Sequence, residues 1–324
     1  MTTHQHTLRK KVRCKGTGLH SGKPVHLTIK PAAPNTGFRF RRVDLPNQPM
    51  IVARPDKVVD TTLATTLAEG QAKVGTTEHL LAALHALDID NATIELSGDE
   101  VPAMDGSAAD FVKMLEEAGR RRQNAARRYL RITRPIELIV KGRSIRVEPY
   151  DGCRISSRIV FEAPLIREQR YSLDLTPHDF SHQISSARTF GQAHEIEHLW
   201  QQNKAKGGSL DNSVVIHWDG TRVLNETGLR FDDEFVRHKT LDIIGDLALL
   251  GTPLLGHVIA DKSGHALHYE FMQALMAAPD SWEYVEFAAV PPVTAPVRVN
   301  GKASRLRDFF VTADDECLSA PCAA

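Results

Sequence analysis

An alternating segment that ends at proline occurs twice in this chain, about 120 residues apart. That repeat confines the fold to one built from two related halves. The first copy is Gly22-Lys-Pro-Val-His-Leu-Thr-Ile-Lys-Pro31 and the second is Gly142-Arg-Ser-Ile-Arg-Val-Glu-Pro149. Both alternate apolar and polar residues, as a half-buried strand does. Each half then carries a helix with a His in its first turn or two. The first spans Thr77 to Leu87, with Leu80, Leu84 and Leu87 at helical spacing; the second spans Glu234 to Leu250, with Leu241, Ile244 and Leu247. A short β-like stretch follows each helix, Ala92 to Leu96 and Leu255 to Ala260.

Strands mixed with helices in both halves predict an α+β fold of two similar domains, each a β-sheet packed on helices. With 324 residues the chain is long enough for two domains, each with its own core. The hydrophilic run from Ala118 to Arg128, with its five arginines, marks the boundary, giving domains 1–126 and 127–298. Beyond about Pro296 the pattern fades, and 299–324 reads as a frayed C-terminal tail.

Composition removes several functional classes. Forty Lys and Arg balance forty Asp and Glu, which argues against a nucleic-acid binder but leaves room for a local basic pocket. The four cysteines, Cys14, Cys153, Cys317 and Cys322, show no paired spacing, as expected for reduced thiols in a cytoplasmic protein. The N-terminus has basic residues but no apolar run behind them, so no secretory signal is expected. No segment approaches the ~20 apolar residues that span a bilayer. Any contact with lipid must come through a groove or a surface, and a monomer is the default expectation.

Chemistry first shows in His238-Lys-Thr-Leu-Asp242, continuing to Asp246. Residues four apart share a helical face, so these three form a polar stripe across an otherwise apolar stretch. Burying carboxylates without partners is costly, and a divalent cation would supply a reason for them. The spacing equally fits a helix whose polar face meets water. Glu78-His79 opens the other helix; with His79 on a metal, Glu78 could touch a metal-bound water as general base. Alternatively Glu78 simply favours the positive helix N-terminus. His265, in Lys262-Ser-Gly-His265, sits on a Gly-containing loop and could act as proton donor or be one more surface His. His194-Glu-Ile-Glu-His198 fits the metallopeptidase pattern H-E-x-x-H and would make the chain a zinc peptidase. The run after it breaks at Gly207-Gly208 and keeps only a thin apolar stripe, which reads better as a solvated helix with a chance pair.

Together these segments resemble the UDP-3-O-acyl-N-acetylglucosamine deacetylase family, the enzymes that commit bacteria to making lipid A. The matching stretches are Gly16-Thr-Gly-Leu-His-Ser-Gly22, Gly75-Thr-Thr-Glu-His-Leu80, Pro102-Ala-Met-Asp-Gly-Ser107, Ala187-Arg-Thr-Phe-Gly191, Gly207-Gly-Ser-Leu-Asp-Asn212, Val223-Leu-Asn225, Phe235-Val-Arg-His-Lys239, Leu241-Asp-Ile-Ile-Gly-Asp246 and Lys262-Ser-Gly-His265. They occur in order from about residue 6 to about residue 293.

The resemblance implies an active site between the domains and a βαβ insert at roughly 189–222 that houses the acyl chain, with Ile196, Leu199, Trp200, Leu210, Val214 and Val215 as candidate lining. It implies that His79, His238 and Asp242 bind Zn2+ (or Fe2+) with a fourth position for water, and that Glu78 is the base. Thr189 would stabilise the oxyanion, and His265, held by Asp246, would protonate the leaving amine. Lys239 and Lys141 would reach the sugar nucleotide, Phe190 would pack on substrate, and Leu210 would touch the acyl chain. The substrate implied is UDP-3-O-acyl-N-acetylglucosamine. One departure is Ala64, where relatives often carry Cys near the metal.

Overall fold

The structure, a computed structural model, describes residues 1–287; the predicted tail 299–324 and the last residues of the second predicted domain lie outside the described residues. In chain order, the first half contributes β1 (His4–Leu8), β2 (Val12–Thr17), β3 (Pro24–Pro31), β4 (Phe38–Arg42), β5 (Met50–Val52), β6 (Val58–Asp60), β7 (Thr66–Glu69), β8 (Ala72–Val74), α1 (Glu78–Ala86), β9 (Ala92–Leu96), α2 (Ala109–Ala118) and β10 (Arg120–Ala126). The second half contributes β11 (Arg128–Ile132), β12 (Ile136–Val140), β13 (Arg143–Glu148), β14 (Cys153–Val160), β15 (Glu168–Asp174), the single turn α3 (Pro177–Asp179), β16 (Phe190–Gln192), α4 (Ile196–Gln201), β17 (Val214–Ile216), α5 (Glu234–Leu247), β18 (Leu254–Asp261), α6 (His265–Met276) and β19 (Trp282–Glu286).

This is a mixed α/β architecture with several sheets and few helices. The repeated segments are β3 and β13, and the strands around them repeat as well. The first half builds β2-β3-β9-β4-β5, with β9 antiparallel to β3 and parallel to β4. The second half places β12, β13, β18, β14 and β15 side by side, with β18 antiparallel to β13 and parallel to β14. The strand that follows the long helix is thus central in both arrays. β11 and β19 extend the second one. The alternation sets the faces: Val25, Leu27 and Ile29 of β3, and Ile145 and Val147 of β13, are buried.

Two features depart from the sequence reading. The arginine-rich run at the expected boundary is itself a strand, because Arg120–Ala126 form β10 against β1. Gln123 is buried there, donating to the Ala32 carbonyl at 2.8 Å and accepting from Asn91 Nδ2 at 2.8 Å. A two-stranded ribbon leaves most side chains in water, so its composition imitates a linker. The halves also share one large buried apolar cluster, from Leu8 through Leu81, Ile94 and Leu241 to Leu275, beside a smaller one in the second half around Ile159, Val214 and Phe235. The reason is that α1 and α5 are buried almost all round and pack on each other. Among the described residues no helix is long and apolar enough to cross a membrane.

The closest approach of the two helices falls at Gly245. A Cβ added there would lie 2.0 Å from the backbone carbonyl oxygen of Glu78. No side chain can turn away to relieve that clash, because the obstacle is backbone. In an exposed helix, Gly to Ala stabilises by about 1 kcal/mol. Here Gly245→Ala should instead destabilise by about 3 kcal/mol or more, the upper range of overpacking costs. Denaturant unfolding measures this, and an unchanged or higher midpoint would contradict the close crossing.

Candidate active site

α5 places His238, Asp242 and Asp246 one turn apart, and their shared face meets the start of α1, where Glu78 and His79 stand. All five are buried. His238 Nε2 lies 3.5 Å and His79 Nε2 3.7 Å from Asp242 Oδ1. The two imidazoles meet edge to face with centroids 5.0 Å apart. Donors about 2.1 Å from a tetrahedral zinc stand roughly 3.4 Å from one another, so this spacing suits a small divalent cation. Asp242 Oδ1 is buried and has no hydrogen-bond partner among the described residues, so a carboxylate lone pair is aimed between the two ring nitrogens. Its other oxygen accepts from Lys239 Nζ at 2.6 Å. His238 Nδ1 donates to the Ala187 carbonyl at 3.1 Å, which turns Nε2 toward the site. Burial, partly offset by Asp242, pushes His238 down to about 4, so its ring is neutral, the form that ligates a metal.

Behind this trio sits a fully bonded group. Asp246 Oδ2 accepts from His265 Nδ1 and His268 Nδ1, each at 2.7 Å, and Oδ1 accepts from Thr65 Oγ1 at 2.6 Å. Although Asp246, His265 and His268 could also be read as a metal cluster, the lone pairs a cation would need are occupied by these hydrogen bonds. Burial disfavours the charged form of His265, yet Asp246, with Glu78 and Asp242 behind it, outweighs burial and raises it to about 9. Its Nε2 is 4.0 Å from Glu78 Oε1. Glu78 is pushed upward by burial against the pull of His265 and His79, and its Oε2 accepts from the Thr65 backbone N–H at 3.1 Å. His265 is the first residue of α6, with Gly264 as N-cap, rather than a loop residue. The positive end of a helix disfavours a charged His, so the carboxylates supply what the backbone does not.

The loops that wall the cleft are tied together by buried polar groups. Glu100 accepts from Thr76 Oγ1 at 2.9 Å and from the N–H groups of His20 and Ser21 at 2.8 Å. Thr76 has φ of +54°, an uncommon conformation for a β-branched residue, and this bond holds it. Thr189 N donates to the Gly106 carbonyl at 2.8 Å. Gly106, at φ of +82°, has the Asn212 carbonyl where a Cβ would be, so the segment Pro102 to Ser107 admits only glycine at this point. Beside Thr189, the Arg188 guanidinium is buried against Glu234, with Nε donating to Oε1 at 2.8 Å.

A cleft of about 380 Å³ brings together Glu78, His79, His238, Lys239, Asp242 and His265 with Thr189 and Phe190. Its remaining wall carries Leu19, His20, Leu63, Ile159, Val160 and Phe161, and its cations include Arg143 and Lys262. Lys141 and Leu210 stand outside this lining: Lys141 occupies the exposed turn between β12 and β13, and Leu210 is 47% exposed. Of the insert residues expected to line an acyl passage, Val214 and Val215 are buried in the protein and Trp200 is exposed. The β16-α4-β17 segment does form a parallel βαβ unit. His194 and His198 lie on its exposed side, and among the described residues they join no ligand group. Ala64 is buried beside Thr65.

Sequence reasoning missed Thr65, Glu100, His20, Arg143, Gly245 and His268. An isolated glycine in an apolar helix was the one available signal, since such a glycine usually marks a packing contact.

Comparison with known proteins identifies the family. Residues 5–277 match the family model described as UDP-3-O-acyl N-acetylglycosamine deacetylase. A UDP-3-O-acyl-N-acetylglucosamine deacetylase from Nitratidesulfovibrio vulgaris is 50% identical over 272 residues, covering 84% of this chain and 87% of the relative. Proteins of the same name from Methylococcus capsulatus and Acidithiobacillus ferrooxidans are 47% and 46% identical, covering 87% and 88% of this chain and 93% of each relative. With its fold, its cleft and these relatives in agreement, the chain belongs to the UDP-3-O-acyl-N-acetylglucosamine deacetylase family.

Proposed function

We propose that this protein hydrolyses the N-acetyl group of UDP-3-O-acyl-N-acetylglucosamine, giving acetate and the free 2-amino sugar nucleotide, the committed step of lipid A biosynthesis. The observation that carries the reading is the convergence of His79, His238 and the unpartnered Asp242 oxygen beside Glu78. These three side chains would hold one zinc ion, and the same nitrogen and oxygen donors also suit ferrous iron. Held there, such an ion would supply Lewis acidity toward the acetamide carbonyl and a water. The halves act as two similar α+β domains, 1–126 and 127–298, with the cleft between them; the repeated strand order supports this division.

The protein's own groups divide the remaining work. Glu78, held through one oxygen by Thr65 N–H and raised by burial, takes the proton from the attacking water. Thr189 offers its hydroxyl to the oxygen that gains charge. His265, kept protonated by Asp246, gives its proton to the departing nitrogen as the C–N bond breaks. Lys239, Lys262 and Arg143 form the cationic side of the cleft and bind the diphosphate, while Phe161 and Phe190 pack on the substrate.

Two experiments test this. Purified protein should carry about one zinc per chain. His79→Ala, His238→Ala and Asp242→Ala should each lose it together with activity, whereas His194→Ala should keep both; zinc leaving with His194 would favour a peptidase site instead. Glu78→Gln preserves the shape of the side chain, so metal content should stay. Acetate release should nonetheless fall by about 10²–10⁴-fold, the usual contribution of a general base. Near-normal turnover by that variant would remove Glu78 from the role assigned here.

A further inference from the structure

The two five-strand arrays share an order, but their solvent faces differ in charge. On the second array the arginines are matched: Arg154 pairs with Asp174, Arg158 with Glu168 and Asp261, and Arg170 with Glu168, each within 3 Å. On the first array the residues that alternate with the buried core positions include Arg13 and Lys15 of β2, Lys30 of β3, and Arg39 and Arg41 of β4. The one carboxylate among them is Glu95 of β9, 2.7 Å from Lys30 and 3.8 Å from Arg41. Arg13, Lys15 and Arg39 have no carboxylate within ion-pair reach among the described residues. The turn Arg9-Lys10-Lys11 before β2 is exposed and adds to the same edge. No acidic residue precedes Asp44 in the sequence. In a chain of zero formal net charge, this is a local concentration of positive charge.

The register fixes its shape. Arg13, Thr28, Glu95 and Arg41 are successive cross-strand neighbours. At about 4.8 Å per strand the outer two stand roughly 14 Å apart. The cations are therefore spread over an open sheet instead of gathered in a groove. The face carries no Phe, Tyr or Trp on which bases could stack. Of these cations only Arg39 borders a cleft, toward β5; Arg13, Lys15, Lys30 and Arg41 form a wide array that matches a partner whose negative charge is equally wide and diffuse.

We propose that this face docks the protein on the surface of an anionic phospholipid bilayer. The attraction is electrostatic and acts within a Debye length, about 8 Å at physiological ionic strength, so salt weakens it. Each basic residue near an anionic surface strengthens partition roughly fivefold.

Flotation of the full chain with vesicles tests this. Wild type should float with vesicles rich in phosphatidylglycerol, remain behind with pure phosphatidylcholine, and be released by raised salt. Arg13→Glu combined with Arg41→Glu should cut partition by at least about twenty-five-fold, because two attractions are lost and two repulsions gained. The same variant should deacetylate normally in vesicle-free solution, since neither residue lines the cleft; this also reports that it is folded. Arg170→Glu on the opposite array should float like wild type. Equal partition on neutral vesicles, or unchanged flotation of the double variant, overturns the proposal. So does tight capture of duplex RNA by a protein that ignores the vesicles, which would make the face a nucleic-acid surface.

Discussion

The contact between Gly245 and the backbone of Glu78 sets the geometry of everything chemical in this molecule. Residues three and four apart share a helical face, so Asp242 lies beside Gly245 and Asp246 stacks one turn along from Asp242. The same contact that lets the helices touch therefore brings the Asp242 and Asp246 carboxylates near Glu78. His79 follows Glu78 and faces Asp242, and His238 stands one turn earlier on α5. A side chain at 245 would separate the helices by more than the few tenths of an ångström that metal–ligand distances tolerate. Site and core are thus one construction problem, solved at a single glycine.

Three buried carboxylates a few ångströms apart would be costly if their surroundings were alike, and they are not. Asp246 is neutralised by two imidazoles and a hydroxyl, which holds it well below the usual carboxylate range. Asp242 has an ammonium on one oxygen and a bare second oxygen; burial opposes its charge, yet Lys239 outweighs it and keeps it ionised. Glu78 has only a backbone N–H and is displaced upward by burial. Environment therefore sets three chemically similar groups apart, the kind of separation that acid–base catalysis requires and that the proposed roles use.

How much of this the sequence disclosed depended on periodicity. The stripe His238, Asp242, Asp246 was legible because polar residues at helical spacing interrupt an apolar run. The repeated strands were legible because alternation survives in both copies. Spacing alone could not reveal that His79 and His238, some 160 residues apart, converge; resemblance to a family supplied that. Cleft cations were harder. Lys141 and Arg143 are two residues apart at a strand start, and sequence cannot say where the turn ends and the strand begins to aim side chains at the cleft. The ribbon β1–β10 was hidden because a strand exposed on both sides shows no alternation in its composition. His194 and His198 agree with the reading of a solvated segment with a chance pair: His194 lies in a 3-10 turn and His198 on the short α4, both are exposed, and among the described residues they join no ligand group.

The shared core explains why a duplicated architecture could carry one site instead of two. Neither half has a complete donor set: α1 brings one imidazole and the base, while α5 brings one imidazole and two carboxylates. Had the halves kept separate cores, the gap between them would be set by a polar interface free to shift, and the donors would drift with it. A buried apolar cluster running from Leu8 to Leu275 removes that freedom. Close-packed interiors transmit displacement rather than absorb it. The proposed ligands and base lie on buried helices, where their positions are fixed, whereas Leu63, Thr189 and Phe190, which also line the cleft, lie on loops and a short strand. In the proposed mechanism, rigidity falls where coordination would fix bond lengths, and tolerance is left where the substrate would be contacted.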